Sequence, residues 1–397
     1  MIDASDPADL VAALAAIEPL AAADPGLVRV VRAPGRVNLI GEHTDYNEGF
    51  VLPAAIGLEI RIAFVPTPDR RVELTLADDG ERRDGERRGF DLDAIPPPSG
   101  TWIDYVAGTA RELAAAGLPV AGFRGLLWSN LPPSSGLSSS AALELASAWA
   151  LSGGDAPAPD PLTVARIAQR AENDYVGVRC GLMDQFASAC GVAGRALFLD
   201  CRSLDWDAVA LPPELSLVVS HSGSSRRLET SAYNERRADC ERAVATIAAT
   251  ETGVRSLRDV TVEMLERGRP AMDPIAYRRA RHVVDENGRV LAALTAFRGN
   301  DRDRLRALFA ASHASLRDLF EVSSPELDAL VASALELPGV LASRMTGAGF
   351  GGCTISLVET EAAEAVVPAL AAGYRARTGR EARIWTVEAA PGAGRLS

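Results

Sequence analysis

The stretch from Arg32 to Pro53 constrains this chain more than any other part of it. An apolar run rich in β-branched residues, Leu27 to Val31, ends at Pro34-Gly35. A dense polar cluster follows: Arg36, Asn38, Glu42, His43, Asp45, Tyr46 and Asn47. Phe50-Val51-Leu52 then resumes an apolar run. This spacing predicts two buried strands joined by a loop. A loop so rich in hydrogen-bonding groups either faces a ligand or is a solvated turn. Glu42 and Asp45 are acceptors spaced to grip several hydroxyls of a sugar, and Arg36 is a fixed cation nearby.

A second constraint is an absence. The chain contains no lysine, so arginine supplies its strong cations. That excludes the P-loop lysine, the protein-kinase β3 lysine and Schiff-base chemistry. Phosphate would have to be held by backbone amides, a helix N-terminus, a metal ion or arginine. A net charge of −12 argues against a general nucleic-acid partner or an anionic membrane surface, both of which need a basic face. The five cysteines are scattered, with no Cys-x-x-Cys, and the four histidines show no zinc spacing. Together with the absence of a signal-peptide pattern or an apolar run of membrane-spanning length, this predicts a cytoplasmic protein with no membrane association.

The length of 397 residues predicts two domains, divided near residue 205, as 1–205 and 206–397. Periodicity predicts an N-terminal helix over 9–23 and strands near 27–32, 50–54, 58–65 and 71–76. Asp78 to Arg88 reads as a solvated tip. A helix follows at 102–116, a buried strand at 123–128, helices at 138–152, 161–175 and 181–190, and a strand at 195–200. Beyond the boundary the pattern gives a strand at 215–220 and helices at 229–250, 275–297, 301–319 and 325–336. Strands at 340–346 and 352–358, a helix at 361–377 and a strand at 382–388 close an α/β chain.

Two further segments carry chemistry. Leu131 to Leu145 places Ser134, Ser135, Gly136, Leu137, Ser138, Ser139 and Ser140 between a strand and an apolar helix. Free amides of a first helical turn bind anions, and serine hydroxyls can meet phosphate oxygens or Mg²⁺; a serine-capped helix after a proline turn has the same sequence. In Ala171 to Phe186, Asp184 lies in an apolar helical stretch. If buried it needs a cation, for which Arg36 is the natural candidate; a surface aspartate near a helix start is the alternative. Gly347, Gly349 and Gly352 form a Gly-x-Gly-x-x-Gly, but an apolar strand follows it rather than a helix, which removes the dinucleotide reading.

These segments together resemble the galactokinases of the GHMP kinase superfamily. Gly35-Arg-Val-Asn-Leu-Ile-Gly-Glu-His-Thr-Asp-Tyr46 matches the galactokinase signature. Gly136-Leu-Ser-Ser-Ser-Ala141 resembles the second superfamily motif, with Ser134 where a glycine usually stands. Cys180-Gly-Leu-Met-Asp-Gln185 and Arg344 to Cys353 resemble further motifs. The resemblance implies a two-domain fold, a ribosomal S5 domain 2-like N-terminal domain and a ferredoxin-like C-terminal one, with the active site between them. It implies ATP-dependent, Mg²⁺-dependent phosphorylation of galactose to galactose 1-phosphate. By resemblance Asp184 and Arg36 are catalytic, and Glu42, His43, Thr44, Asp45, Gly181 and Tyr233 bind the sugar. Trp102 packs on adenine, although it also suits a core anchor; the serine-rich loop holds the nucleotide. Ser140 and Glu172 hold Mg²⁺. No nucleic acid and no obligate protein partner is expected. A kinase of a related sugar such as N-acetylgalactosamine, or a non-catalytic galactose sensor, remains open. Such sensors lose a Ser-Ala pair from the serine-rich loop, and Ser140-Ala141 is present here.

Overall fold

A computed structural model of the chain describes residues 6–77, 85–132, 135–158, 160–224 and 229–397. The N-terminal part runs α1 (Pro7–Ile17), α2 (Pro19–Ala23), β1 (Arg29–Asn38), β2 (Phe50–Val51), β3 (Pro53–Thr67), β4 (Arg71–Leu76), β5 (Arg87–Asp91) and α3 (Ile103–Ala115). It continues through β6 (Gly122–Ser129), α4 (Ser139–Leu151), α5 (Pro161–Ala171), α6 (Met183–Cys190), β7 (Arg195–Asp200) and β8 (Trp206–Ala210). Then follow β9 (Leu215–His221), α7 (Glu229–Ala248), α8 (Val262–Gly268), α9 (Pro274–Gly299), α10 (Arg302–Ser315) and α11 (Pro325–Leu335). The chain closes with β10 (Val340–Thr346), β11 (Cys353–Glu359), α12 (Ala363–Thr378), β12 (Arg383–Val387) and β13 (Gly394–Arg395).

Several boundaries follow from local chemistry. Asp160 caps α5, its Oδ1 accepting from the Thr163 amide at 2.8 Å, with Pro161 at the first helical position. Asp273-Pro274 and Ser324-Pro325 start α9 and α11 in the same way. Pro19 divides the expected helix over 9–23 into α1 and α2.

One sheet has the order β13-β1-β3-β6-β4-β5, with β4 and β6 parallel. A second, β10-β11-β9-β12, is antiparallel throughout. In order of appearance its strands lie 2-3-1-4, with α7 to α11 between the first two and α12 between the last two. That is the ferredoxin-like split βαβ arrangement the resemblance implied. A third, small sheet has the order β2-β7-β8. Val37, Leu39, Phe64, Leu127 and Phe186 belong to a core that continues into Leu217, Val219 and Ile355 of the second sheet.

Three expectations need correction. The strands expected near 50–54 and 58–65 are instead a two-residue β2 and a single β3 that runs unbroken from Pro53 to Thr67. The strand expected near 27–32 is longer: β1 continues to Asn38 through a register shift between Pro34 and Arg36. A bulge accommodates the proline, which has no amide to donate. A Cβ on Gly35 would stand 2.5 Å from Leu131 Cδ2 and 2.6 Å from the Leu137 carbonyl, so β1 presses against the serine-rich loop. The chain also does not close at β12, because β13 returns to pair with β1. Of the tip expected over Asp78 to Arg88, residues 78–84 lie outside the described residues, and β5 begins at Arg87.

Candidate active site

A cavity of about 340 Å³ opens where the polar cluster, the serine-rich loop and α6 meet. Arg36, Glu42, His43 and Asp45 line one wall, and Gly136, Ser138, Ser139 and Ser140 another. Glu172, Gly181 and Asp184 form a third, and Tyr233, Gly347 and Ala348 reach in from the C-terminal half.

Asp184 stands in the first turn of α6. Arg36 donates to its Oδ1 from Nε at 2.8 Å and from Nη2 at 2.7 Å. Ser138 Oγ donates to Oδ2 at 2.6 Å. These bonds leave acceptor capacity on Oδ2, and the side chain is 26% exposed against 5% for Arg36. The carboxylate is thus held from behind and open toward the cavity. Arg36 also donates from Nη1 to the Gly136 carbonyl at 2.5 Å, which joins β1 to the serine-rich loop. Ser188 Oγ donates to the Pro34 carbonyl at 2.7 Å, fixing α6 on the bulge of β1.

The polar cluster is tightly committed. Glu42 is buried against the fully buried Arg344, whose Nη2 donates to Oε2. The Gly347 amide and Thr346 Oγ1 reach Oε1 at 3.1 and 3.3 Å. Little of the expected capacity for gripping several hydroxyls is left on this carboxylate. Asp45 is freer. Burial, and then the charge of Asp184, raise its carboxyl to about 6. A Cβ on Gly181 would lie 1.8 Å from Asp45 Oδ2, so only glycine fits there. His43 has both ring nitrogens engaged, Nδ1 with Tyr46 Oη at 2.9 Å and Nε2 with the Ala348 carbonyl at 3.2 Å. Burial lowers it to about 3, so it is neutral and offers a ring face. Tyr233 packs at 5.7 Å from that ring, and burial keeps its phenol protonated.

On the third wall, α5 ends in a π turn, Glu172–Val176, where the sequence predicts an unbroken helix to 175. This turn carries Glu172 into the cavity, hydrogen-bonded to Ser140. Gln185 Nε2 donates to Glu172 Oε2 at 2.6 Å and to the buried Glu144 Oε2 at 3.0 Å. Burial, and then the Asp184 charge, raise Glu172 to about 7. Ser138 sits at the cap position of α4 in a left-handed conformation, φ 60°, and makes no side-chain cap bond. Its hydroxyl goes to Asp184 instead, which leaves first-turn amides of α4 free for an anion.

The galactokinase galactose-binding signature matches residues 21–66, the segment that carries β1 and the polar cluster. The GHMP kinases N terminal domain matches 104–192, and the GHMP kinases C terminal domain matches 293–376. A galactokinase of Roseiflexus sp. is 44% identical over 92% of this chain and 93% of its own length. The chain belongs to the galactokinase family. A galactokinase of Chloroflexus aggregans is 45% identical over 89% of each chain. The crystal structure of Lactococcus lactis galactokinase complexed with galactose superposes with a TM-score of 0.88 at 34% identity, covering 97% of this chain and 100% of that one. Methanococcus jannaschii mevalonate kinase, at 18% identity and a TM-score of 0.62, shares the fold.

Not every residue that the galactokinase signature implied faces the cavity. Thr44 is turned inward: its hydroxyl bonds the Gly41 and Phe50 carbonyls at 2.8 and 2.6 Å, closing the loop on itself. Trp102 is half-buried at the start of α3 against the main core and does not line the cavity. Leu137 and Ser135 are buried, and the Leu137 carbonyl accepts from the Arg36 amide at 3.1 Å. Ser134 lies outside the described residues. Arg344, Gln185, Glu144 and Tyr105 have no role legible in the sequence alone. Tyr105 lines the cavity, one helical turn beyond Trp102. Arg344 and Gln185 stood inside recognised motifs, but nothing in the sequence signalled their partners.

Proposed function

We infer that the protein transfers the γ-phosphoryl group of ATP to the anomeric hydroxyl of galactose, giving galactose 1-phosphate and ADP. The observation that carries this reading is the Asp184 carboxylate, braced by Arg36 and Ser138 and open to the cavity between the sugar signature and the serine-rich loop. Asp45, Tyr233 and the backbone at Gly181 orient the sugar, with the Glu42 carboxylate and the His43 ring shaping the floor. First-turn amides of α4 and the hydroxyls of Ser139 and Ser140 take the phosphates. Asp184 aligns the anomeric hydroxyl and accepts its proton as the new P–O bond forms and the bond to the ADP oxygen breaks. Arg36 opposes the charge on the transferring group and holds the Asp184 carboxylate in place through two bonds to its Oδ1. In a loose transition state the proton leaves late, so alignment of the attacking hydroxyl comes first. The rate gain comes from positioning and charge compensation.

Ser140 and Glu172 fit Mg²⁺: they are hard oxygen donors beside the serine-rich loop, and among the described residues no cation pairs with the buried Glu172 carboxyl. When bound, Mg²⁺ neutralises phosphate charge. Two domains meeting near residue 205 and a cytoplasmic setting complete the reading; the latter is supported by five free thiols. The test is a panel of sugars with ATP and Mg²⁺, following ADP release. Galactose should give the highest kcat/KM. A preference for N-acetylgalactosamine would move the substrate, and galactose binding without ADP release would make the protein a sensor.

A further inference from the structure

The loop that carries Glu42 and His43 is held by a helix that never touches the cavity. On α9, His282, Glu286, Asn287 and Val290 recur at helical spacing and form one stripe against residues 41–50. His282 Nε2 lies 3.2 Å from the Glu42 carbonyl, to which it donates, and its Nδ1 lies 2.8 Å from Ser315 Oγ. Asn287 Oδ1 accepts from the Phe50 amide at 3.0 Å. Val290 Cγ2 would stand 2.9 Å from a Cβ on Gly41. Glu286 sits at the centre and is fully buried. Its Oε1 accepts from the Gly41 amide at 3.0 Å and from Ser312 Oγ at 2.6 Å, and Arg289 Nε donates to its Oε2.

The backbone at this point needs such a hold. Gly41 has φ 107° and His43 φ 63°, so two of three consecutive residues are in left-handed conformations. A non-glycine residue keeps that conformation only when its surroundings impose it. Burial opposes ionisation of Glu286, and the neighbouring Arg289, His282 and Arg344 overcome it, holding the carboxyl at about 2. A charged acceptor makes a stronger bond to an amide than a neutral one.

We propose that Glu286 is a positioning residue for the sugar half of the site: by accepting from the Gly41 amide it fixes the backbone that delivers Glu42 and His43 to the cavity. It acts on sugar binding and leaves the nucleotide half alone, because the serine-rich loop is braced from β1 and α6 instead. The proposal rests on the reading of this cavity as a sugar site.

The test uses Glu286→Leu, which removes the acceptor, and Glu286→Gln, which keeps an oxygen for Gly41. Galactose and ATP affinities are measured by calorimetry, kcat at saturating galactose, and amide hydrogen exchange at residues 41–43 and 135–140. Glu286→Leu should weaken galactose binding by about tenfold or more, the loss of one bond to a charged group. ATP affinity and kcat should stay within about twofold, a change worth under half a decade. Exchange should rise at 41–43 and not at 135–140. Glu286→Gln should recover most of the galactose affinity. Galactose and ATP affinities falling in parallel would reduce Glu286 to a structural residue, and unchanged galactose affinity would overturn the proposal. If Glu286→Leu does not fold, Glu286→Ala, which also removes the acceptor for the Gly41 amide, is read in its place: no rise in exchange at 41–43 and no loss of galactose affinity overturns the proposal. Should the wild-type protein bind no galactose, the sugar reading itself fails, while the exchange data still report whether Glu286 holds Gly41.

Discussion

Single residues in this site do their work against their own solvation. Asp45 is the clearest case, because burial and the nearby Asp184 charge raise its carboxyl to about 6. A sugar hydroxyl donating to the carboxylate favours the charged form, so binding lowers that pKa and releases a proton. Galactose affinity should therefore rise as pH climbs toward 6 and level off above it. Calorimetry across pH 5 to 8 checks this, and in Asp45→Asn the slope should vanish; a slope that survives would assign it to another group. Arg344 and Glu42 are the deepest ion pair at the site, 0% and 1% exposed. Arg344→Met keeps the volume but strands a buried carboxylate, which should cost about 3–5 kcal/mol in urea unfolding. A loss under about 1 kcal/mol would mean that Glu42 is protonated or solvated. The partners of these residues were not legible in the sequence. Glu42 showed as a polar residue in a loop, but its cation stands in β10, brought there by tertiary folding alone.

Elements were more readable than partners. Strong periodicity placed β7, β10, α4 and α9 to within a residue or two. The elements missed are short or weakly patterned: β5 and β8 are edge strands with little burial, α8 is seven residues long with one buried side chain, and β13 has two residues, too few to show alternation. Nor does sequence period reveal the π turn at Glu172 or the bulge in β1, since both are one-residue adjustments within an otherwise regular pattern. Both adjustments aim functional side chains. The turn between α5 and α6 does the same through Gly181, whose missing Cβ leaves room for Asp45. Gly181→Ala should displace the Asp45 carboxylate and raise the KM for galactose by about tenfold or more, with the KM for ATP nearly unchanged, because a misplaced contact of this kind acts locally. Steady-state kinetics in both substrates checks it; equal rises in the two constants would mean that the substitution disturbs α6 as a whole.

At the scale of the molecule, the ordered set of motifs announced the family, and the structure adds how its parts are braced. β1 belongs to the first sheet, carries Arg36 and presses on the serine-rich loop at Gly35. α6 is pinned to the same bulge through Ser188. α9 and β10 hold the polar cluster from the C-terminal half. One strand thus aligns the polar cluster, the serine-rich loop and the Asp184 carboxylate, and the central proposal is that the charge on Asp184, braced by Arg36, carries the chemical step at their meeting point. The most direct measurement is single-turnover and steady-state kinetics of Asp184→Asn, with galactose and ATP affinities taken on the same protein. Asparagine keeps the acceptor for Arg36 but removes the charge. The account predicts a fall in kcat of about 100-fold or more, as for other lost general bases, with both affinities little changed. Turnover of galactose near the wild-type rate would contradict it.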